Sequence, residues 1–163
     1  MGQGIFWATT NVGASSPEEY GDYLAWGETA PKSEYTSGNY TVTEFQAVAT
    51  ANWGGRWRMP TYDEWDWLRK NCTWEWTTEN GVYGEKVTSD ITGNSIFLPA
   101  AGYRSDTLLN AVGTYGFFWS SSLDTHNPKN SRYAWYMYFD SGYIRMSTNL
   151  DREFGYPIRP VSE

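Results

Sequence analysis

The chain holds one cysteine and one histidine among its 163 residues. A single cysteine, Cys72, excludes an internal disulfide and any cysteine-based zinc cluster. It reads as a small buried hydrophobe. Positive charge is also scarce, with 12 Lys and Arg against 19 Asp and Glu, for a net charge of −7. That balance argues against nucleic acid or an anionic membrane as partner, since both select a basic patch. No apolar run approaches the ~18 residues of a membrane-spanning helix, so no direct membrane insertion is expected. The opening Met1–Trp7 lacks the charged start and long apolar core of a signal peptide. Internal repeats and low-complexity tracts are missing as well.

What the chain has in excess is aromatic side chains. They make 18% of it, with ten Trp and thirteen Tyr, so either the core is rich in aromatic rings or many of them face solvent. Exposed Tyr and Trp give large contact area at low entropy cost, which is how interfaces use them. With 40% hydrophobic and 19% charged residues the chain should fold. Its length suits one domain, 1–163, with a sizeable core.

The order of local signals suggests short helices and many strands. Ile5–Thr9 reads as an opening strand. Ser16-Pro17-Glu18-Glu19 reads as a capping box for a short helix that Gly21 interrupts. Tyr23–Gly27 is extended and Thr29–Thr41 is a loop. Thr43-Glu44-Phe45-Gln46 offers a second box. Thr61-Tyr62-Asp63-Glu64 is the clearest helix start, with Trp65 and Leu68 spaced to share its buried face. Thr73–Thr77, Val82–Thr88 and Asn94–Pro99 read as strands. Ala100–Gly102 implies closely approaching backbone, and the stretch from there to Gly116 reads as a loop. Phe117–Ser121, Tyr133–Asp140 and Tyr143–Ser147 complete the strands, the last two joined across Ser141-Gly142.

Alternation divides that final hairpin into two faces. Trp135, Met137, Phe139, Ile144 and Met146 form an apolar set for the core. Tyr136, Tyr138, Asp140, Tyr143, Arg145 and Ser147 fall on the opposite, solvent face. Two readings fit that face. Three tyrosines, a cation and an anion on a rigid sheet match a recognition surface. An ordinary solvated face built from strand-favouring tyrosines matches equally well.

Several phrases together resemble the C-type lectin fold in its formylglycine-generating-enzyme-like branch. Arg58–Trp65 (RMPTYDEW) resembles the branch's helix start, and Gly155–Val161 (GYPIRPV) its closing strand. The nearer likeness is to the Fibrobacter succinogenes major paralogous domain, common in Bacteroidetes. It rests on Trp7–Ala14, Tyr23–Glu28, Ala51–Gly55, Phe97–Arg104, Trp119–Ser122 and Phe139–Gly142. The resemblance implies an α+β domain with short helices packed on small antiparallel sheets. Residues 1–116 would be scaffold and 117–161 a C-terminal display segment. Some members resemble the variable proteins of diversity-generating retroelements, including phage tropism determinants, whose C-terminal segment is rewritten. The matching positions here are Tyr136, Tyr138, Asp140, Tyr143, Arg145, Thr148, Asn149, Asp151, Glu153 and Phe154. The implied function is non-catalytic binding of a protein or glycan ligand, at a bacterial cell surface, extracellularly or on a virion.

The alternatives are a metal-dependent enzyme of the same branch and a structural adhesin module without a specific ligand. The branch's copper enzymes use a C-terminal cysteine pair, whereas Cys72 is single and follows the Trp65 helix. Its iron-dependent relatives use three histidines, whereas His126 is the only one. A Ser-His-Asp triad through His126 and Asp124 has no nucleophile elbow beside it, and His126 reads as a loop residue. Calcium-dependent sugar binding would place an oxygen ligand where Asn127-Pro128-Lys129 has lysine. The expectation is therefore no catalytic residue, no metal ligand and no cofactor, although relatives carry a structural calcium that the resemblance allows. Asn39-Tyr40-Thr41 and Asn71-Cys72-Thr73 fit a glycosylation sequon and read as chance matches.

Overall fold

In a computed structural model of the chain, residues 1–2, 4–42, 48–126 and 132–163 are described. The second capping box, at Thr43, lies outside the described residues, and so does Asn127-Pro128-Lys129.

The helix start at Thr61 forms as its residues dictate. The Thr61 hydroxyl accepts from the Glu64 amide at 3.2 Å, and the Glu64 carboxylate accepts from the Thr61 amide at 2.8 Å. Helix α2 then runs Tyr62–Asn71, with Trp65 and Leu68 on its buried face. Arg69 and Lys70 both pair with Asp66 and close the last turn with the charge its dipole favours. A shorter helix, α1, spans Val48–Trp53.

Everything else that is regular is strand. The pairs are all antiparallel and make four small sheets. Strand β1 (Phe6–Trp7) pairs with β10 (Val161–Ser162), which brings the two ends of the chain together. Strands β2 (Cys72–Glu79), β3 (Val82–Ser89) and β4 (Ser95–Pro99) form a meander. Its first turn is Asn80-Gly81, both with positive φ (48° and 81°), as a two-residue hairpin requires. Strands β5 (Tyr103–Ser105) and β6 (Leu108–Asn110) form a small hairpin. Strands β7 (Gly116–Leu123), β8 (Ala134–Asp140) and β9 (Tyr143–Ser147) form the last sheet, with β8 central.

This overturns the α+β expectation. Strand, with isolated bridges, makes 40% of the described residues and helix 10%, so the described structure is mostly β, with two short helices rather than a helical layer. Two local misreadings explain the difference. At Ser16 no helix forms: the Glu19 carboxylate accepts from the Ser15 amide at 2.7 Å and the segment closes as turns. Gly21 then reverses the chain at φ +72°. Conversely, the stretch read as loop after Gly102 contains the β5–β6 hairpin. Asp106 takes the left-handed conformation (φ +51°) that a turn there needs, without a glycine to announce it. The backbone does crowd at Gly102, where a side chain would collide with the Asn110 carbonyl.

The β7–β8–β9 sheet is packed on both faces. One face carries Phe118, Met137 and Phe139 into a cluster with Trp65 and Leu68 of α2 and with Val87 and Leu98 of the meander. Ile144 and Met146 border that cluster. The other face carries Phe117, Trp119 and Tyr136 into a second cluster with Leu24, Trp26, Tyr156 and Ile158. Buried indole N–H groups find carbonyls here: Trp119 Nε1 donates to Leu24 at 2.8 Å and Trp26 Nε1 to Ser120 at 2.8 Å. Each large side chain so buried contributes roughly 1.5–3 kcal/mol. Cys72 lies in the first cluster, as expected of a small hydrophobe, and burial pushes its thiol up to about 11.

Arg159 ties these parts together. It is fully buried, and its guanidinium donates to Asn11 Oδ1 (2.8 Å) and to the carbonyls of Ala8 (3.2 Å), Thr9 (3.1 Å) and Phe97 (2.8 Å). One side chain of the closing segment thus satisfies the first loop and the end of β4.

Candidate functional site

The register of the last sheet sets Phe117 opposite Tyr138, Trp119 opposite Tyr136, and Tyr138 opposite Arg145. These residues therefore share a face. Near its β7 end that face is roofed by Tyr156 and Ile158. Farther along the roof stops, and the face opens as a cleft of about 310 Å³. The cleft is lined by Tyr103 of β5, Ala111 and Tyr115 of the following loop, Phe117, Tyr136, Tyr138, Arg145, Asn149 and Leu150.

The aromatic rings in it support one another. Phe117 meets Tyr103 at 5.0 Å and Tyr138 at 5.4 Å between ring centres, both edge-on. Tyr115 meets Tyr138 at 5.7 Å. Such pairs contribute about 0.5–1.5 kcal/mol beyond their buried area and hold the walls in place. The Arg145 guanidinium lies over the Tyr138 ring, 4.9 Å from its centre. The Tyr138 hydroxyl donates to Asp140 Oδ2 at 2.7 Å, and Asp140 Oδ1 accepts from the Gly142 amide at 2.9 Å. Burial, then that bond to Asp140, pushes the Tyr138 phenol well up. The same bond, with Gly142 and Tyr143 amides behind it, holds the Asp140 carboxyl below its usual range. Tyr136 donates its hydroxyl to Asn149 Oδ1, which also accepts from Ser147 at 3.1 Å.

The expected display positions separate into several places. Tyr138, Arg145 and Asn149 meet at the cleft, and Tyr136 reaches it only from below. Tyr136 was expected on the solvent face and is 2% exposed, because Tyr156 and Trp119 pack over it at 5.2 and 6.0 Å between ring centres. Tyr143 is 65% exposed at the hairpin turn, paired with half-buried Asp140. Thr148 donates to Asp124 at 3.1 Å. Asp151 holds Arg132 through two bonds of 2.6 and 2.7 Å. With Arg152, Glu153, Ser37 and Tyr40, that pair lines a separate charged depression. Phe154 turns inward, 5.9 Å from Tyr103, and belongs to the second core cluster. His126 is 83% exposed on its side chain, with Asp124 Oδ1 3.3 Å from Nδ1. Among the described residues, no group of three or more His, Cys, Asp or Glu stands together as a metal site.

Sequence reasoning missed Tyr103, Tyr115, Phe117 and Leu150 as lining residues. A signal for Phe117 was present: Phe117-Phe118-Trp119 is apolar at both parities, as a strand buried on two faces must be. Nothing local marks Tyr103 or Tyr115, which reach the cleft through the hairpin that the sequence hides.

Residues 70–161, more than half of the chain, match a family model described as Domain of unknown function DUF8237, and the chain belongs to that family. All the cleft-lining residues fall inside the matched span. Neither the curated proteins nor the solved structures give a match.

Proposed function

We propose that this chain is a non-catalytic binding module that meets a macromolecular ligand through the cleft between the β5–β6 hairpin and the β7–β8–β9 sheet. One observation carries the reading: Tyr103, Tyr115 and Tyr138 leave aromatic surface open over buried Phe117, beside an exposed arginine on a rigid sheet. Buried aromatic and arginine anchors in a pocket supply most of the energy of known interfaces. The motif likeness to C-type-lectin-like variable proteins supports the same reading. In that setting the chain is a retroelement-diversified display protein at a bacterial surface or on a virion. The exposed positions Tyr143, Arg145 and Asn149 suit rewriting, since surface changes usually cost within about 0.5 kcal/mol. Tyr136 and Phe154 suit it poorly, because they are packed.

The test is a selection from a random-peptide phage library on the immobilised protein, with the recovered peptides measured on Tyr115→Ala and Tyr138→Ala variants. The reading predicts peptides whose affinity drops about tenfold or more on both variants. Peptides indifferent to both substitutions, or neither a peptide nor an acidic oligosaccharide bound, would remove the cleft from the function.

A further inference from the structure

The hydrogen-bonding groups around the cleft are unequally committed. The Asp140 carboxylate is engaged at both oxygens, by the Tyr138 hydroxyl and the Gly142 amide. The Ala111 carbonyl accepts from the Thr114 and Tyr115 amides at 3.1 and 3.0 Å. Asn149 Oδ1 accepts from two hydroxyls, of Tyr136 and Ser147. Its Nδ2 hydrogens have no partner among the described residues. The Arg145 guanidinium makes no hydrogen bond or salt bridge among them; it rests on the Tyr138 ring and shares the field of the Asp140 carboxylate, whose oxygens are already engaged. So Arg145, stacked and exposed, offers its N–H donors and a positive charge beside the free amide of Asn149. Among the described lining residues, the Tyr103 and Tyr115 hydroxyls remain to serve as donor or acceptor. Carboxylates and phosphates both take a planar guanidinium fork bidentately, and of the two a peptide supplies the carboxylate from its own side chains.

The apolar side of the cleft continues outward. Leu108 is 62% exposed and shares a hairpin face with Tyr103, since Tyr103 pairs with Asn110 and side chains alternate. Val112, beside cleft-lining Ala111, is exposed as well. Aliphatic surface of this kind gains from covering by apolar side chains, whereas sugar hydroxyls would gain little from it.

Building on the proposed binding role, we infer that the cleft takes a peptide segment presenting a carboxylate beside an apolar or aromatic side chain. The carboxylate accepts from Arg145 and Asn149. The apolar group lies against Phe117, Tyr115 and Leu150, and its neighbours cover Leu108. Charge complementarity is local here: in a chain of net charge −7 the unpaired polar edge of the cleft is cationic.

The experiment uses the tightest peptide from the library selection, its variants with each Asp or Glu changed to Asn or Gln, and the Arg145→Gln protein. Affinities are measured at low and high salt. The inference predicts an acidic residue next to an apolar one in the recovered peptides. One acid-to-amide change weakens binding about tenfold or more, and Arg145→Gln does the same. On Arg145→Gln the acid and amide peptides bind alike, and added salt weakens only the original pair. Peptides without an acidic residue, or an acid-to-amide change with no effect, overturn the inference. If Tyr115→Ala still weakens them, the cleft remains the binding site; if it does not, that reading falls too. Arg145-dependent binding of an alginate oligosaccharide with no peptide recovered overturns the peptide in favour of an acidic glycan.

Discussion

Glu85 is the residue whose environment most opposes its chemistry. It shares a face of β3 with core residue Val87, is 3% exposed, and has a carboxylate oxygen without a partner among the described residues. Burial first, then the charges of Asp140 and Glu75, push its pKa up to about 7. The unfolded chain releases that proton near 4.3. Between those values the folded protein binds more protons than the unfolded chain, so this group lowers stability as pH rises. Above about pH 7 the penalty is fully present. Glu85→Gln removes it: urea unfolding should show the variant more stable than the parent by about 2 kcal/mol at pH 8, with solvent screening allowed for, and matched to it near pH 4. An equal difference at both pH values would mean that Glu85 titrates normally. Asp140 belongs to the same neighbourhood and orients Tyr138, so the core beneath the cleft and the cleft wall share an electrostatic environment.

Among the elements, the closing segment depends on Arg159 more than on its own strand, since β10 is only Val161–Ser162. Arg159→Met keeps bulk but orphans Asn11 Oδ1 and three carbonyls. Each unsatisfied buried acceptor costs about 1–3 kcal/mol. Urea unfolding should show a loss of at least about 3 kcal/mol, and a loss below about 1 would mean that water replaces the guanidinium. The helix at Thr61 and the β2–β3 and β8–β9 hairpins were legible because their determinants are local: a capping box, an Asn-Gly turn, a Ser-Gly turn. The β5–β6 hairpin was not, because its turn rests on a left-handed Asp106 held by paired bonds to Tyr35, far away in sequence. The same limit applied to the cleft. Alternation separated Tyr136 and Tyr138 from Met137 and Phe139 correctly, but it cannot say what covers each face. Tyr156 and Trp119 bury Tyr136, and only tertiary packing decides that. Arg145, Tyr138 and Asn149 could be read from the chain, whereas Tyr103 and Tyr115 needed the fold to arrive beside them.

Across the whole molecule the aromatic excess is used twice. Many of the rings fill or border two clusters on opposite faces of one sheet, and a few line the opening where the second cluster reaches solvent. On the proposed binding role, these last residues serve contact and the others serve folding. The direct test measures two quantities on the same variants: unfolding free energy, and affinity for a peptide selected on the parent protein. Arg145→Ala should lower stability by no more than about 1 kcal/mol and Tyr115→Ala by about 0.5–1.5 kcal/mol, the cost of their ring contacts, while each weakens the peptide about tenfold or more. Tyr136→Ala, by contrast, should cost about 3–5 kcal/mol of stability. If Tyr115→Ala and Arg145→Ala lower stability as much as Tyr136→Ala does, or leave affinity unchanged, the cleft is part of the fold and does not serve contact.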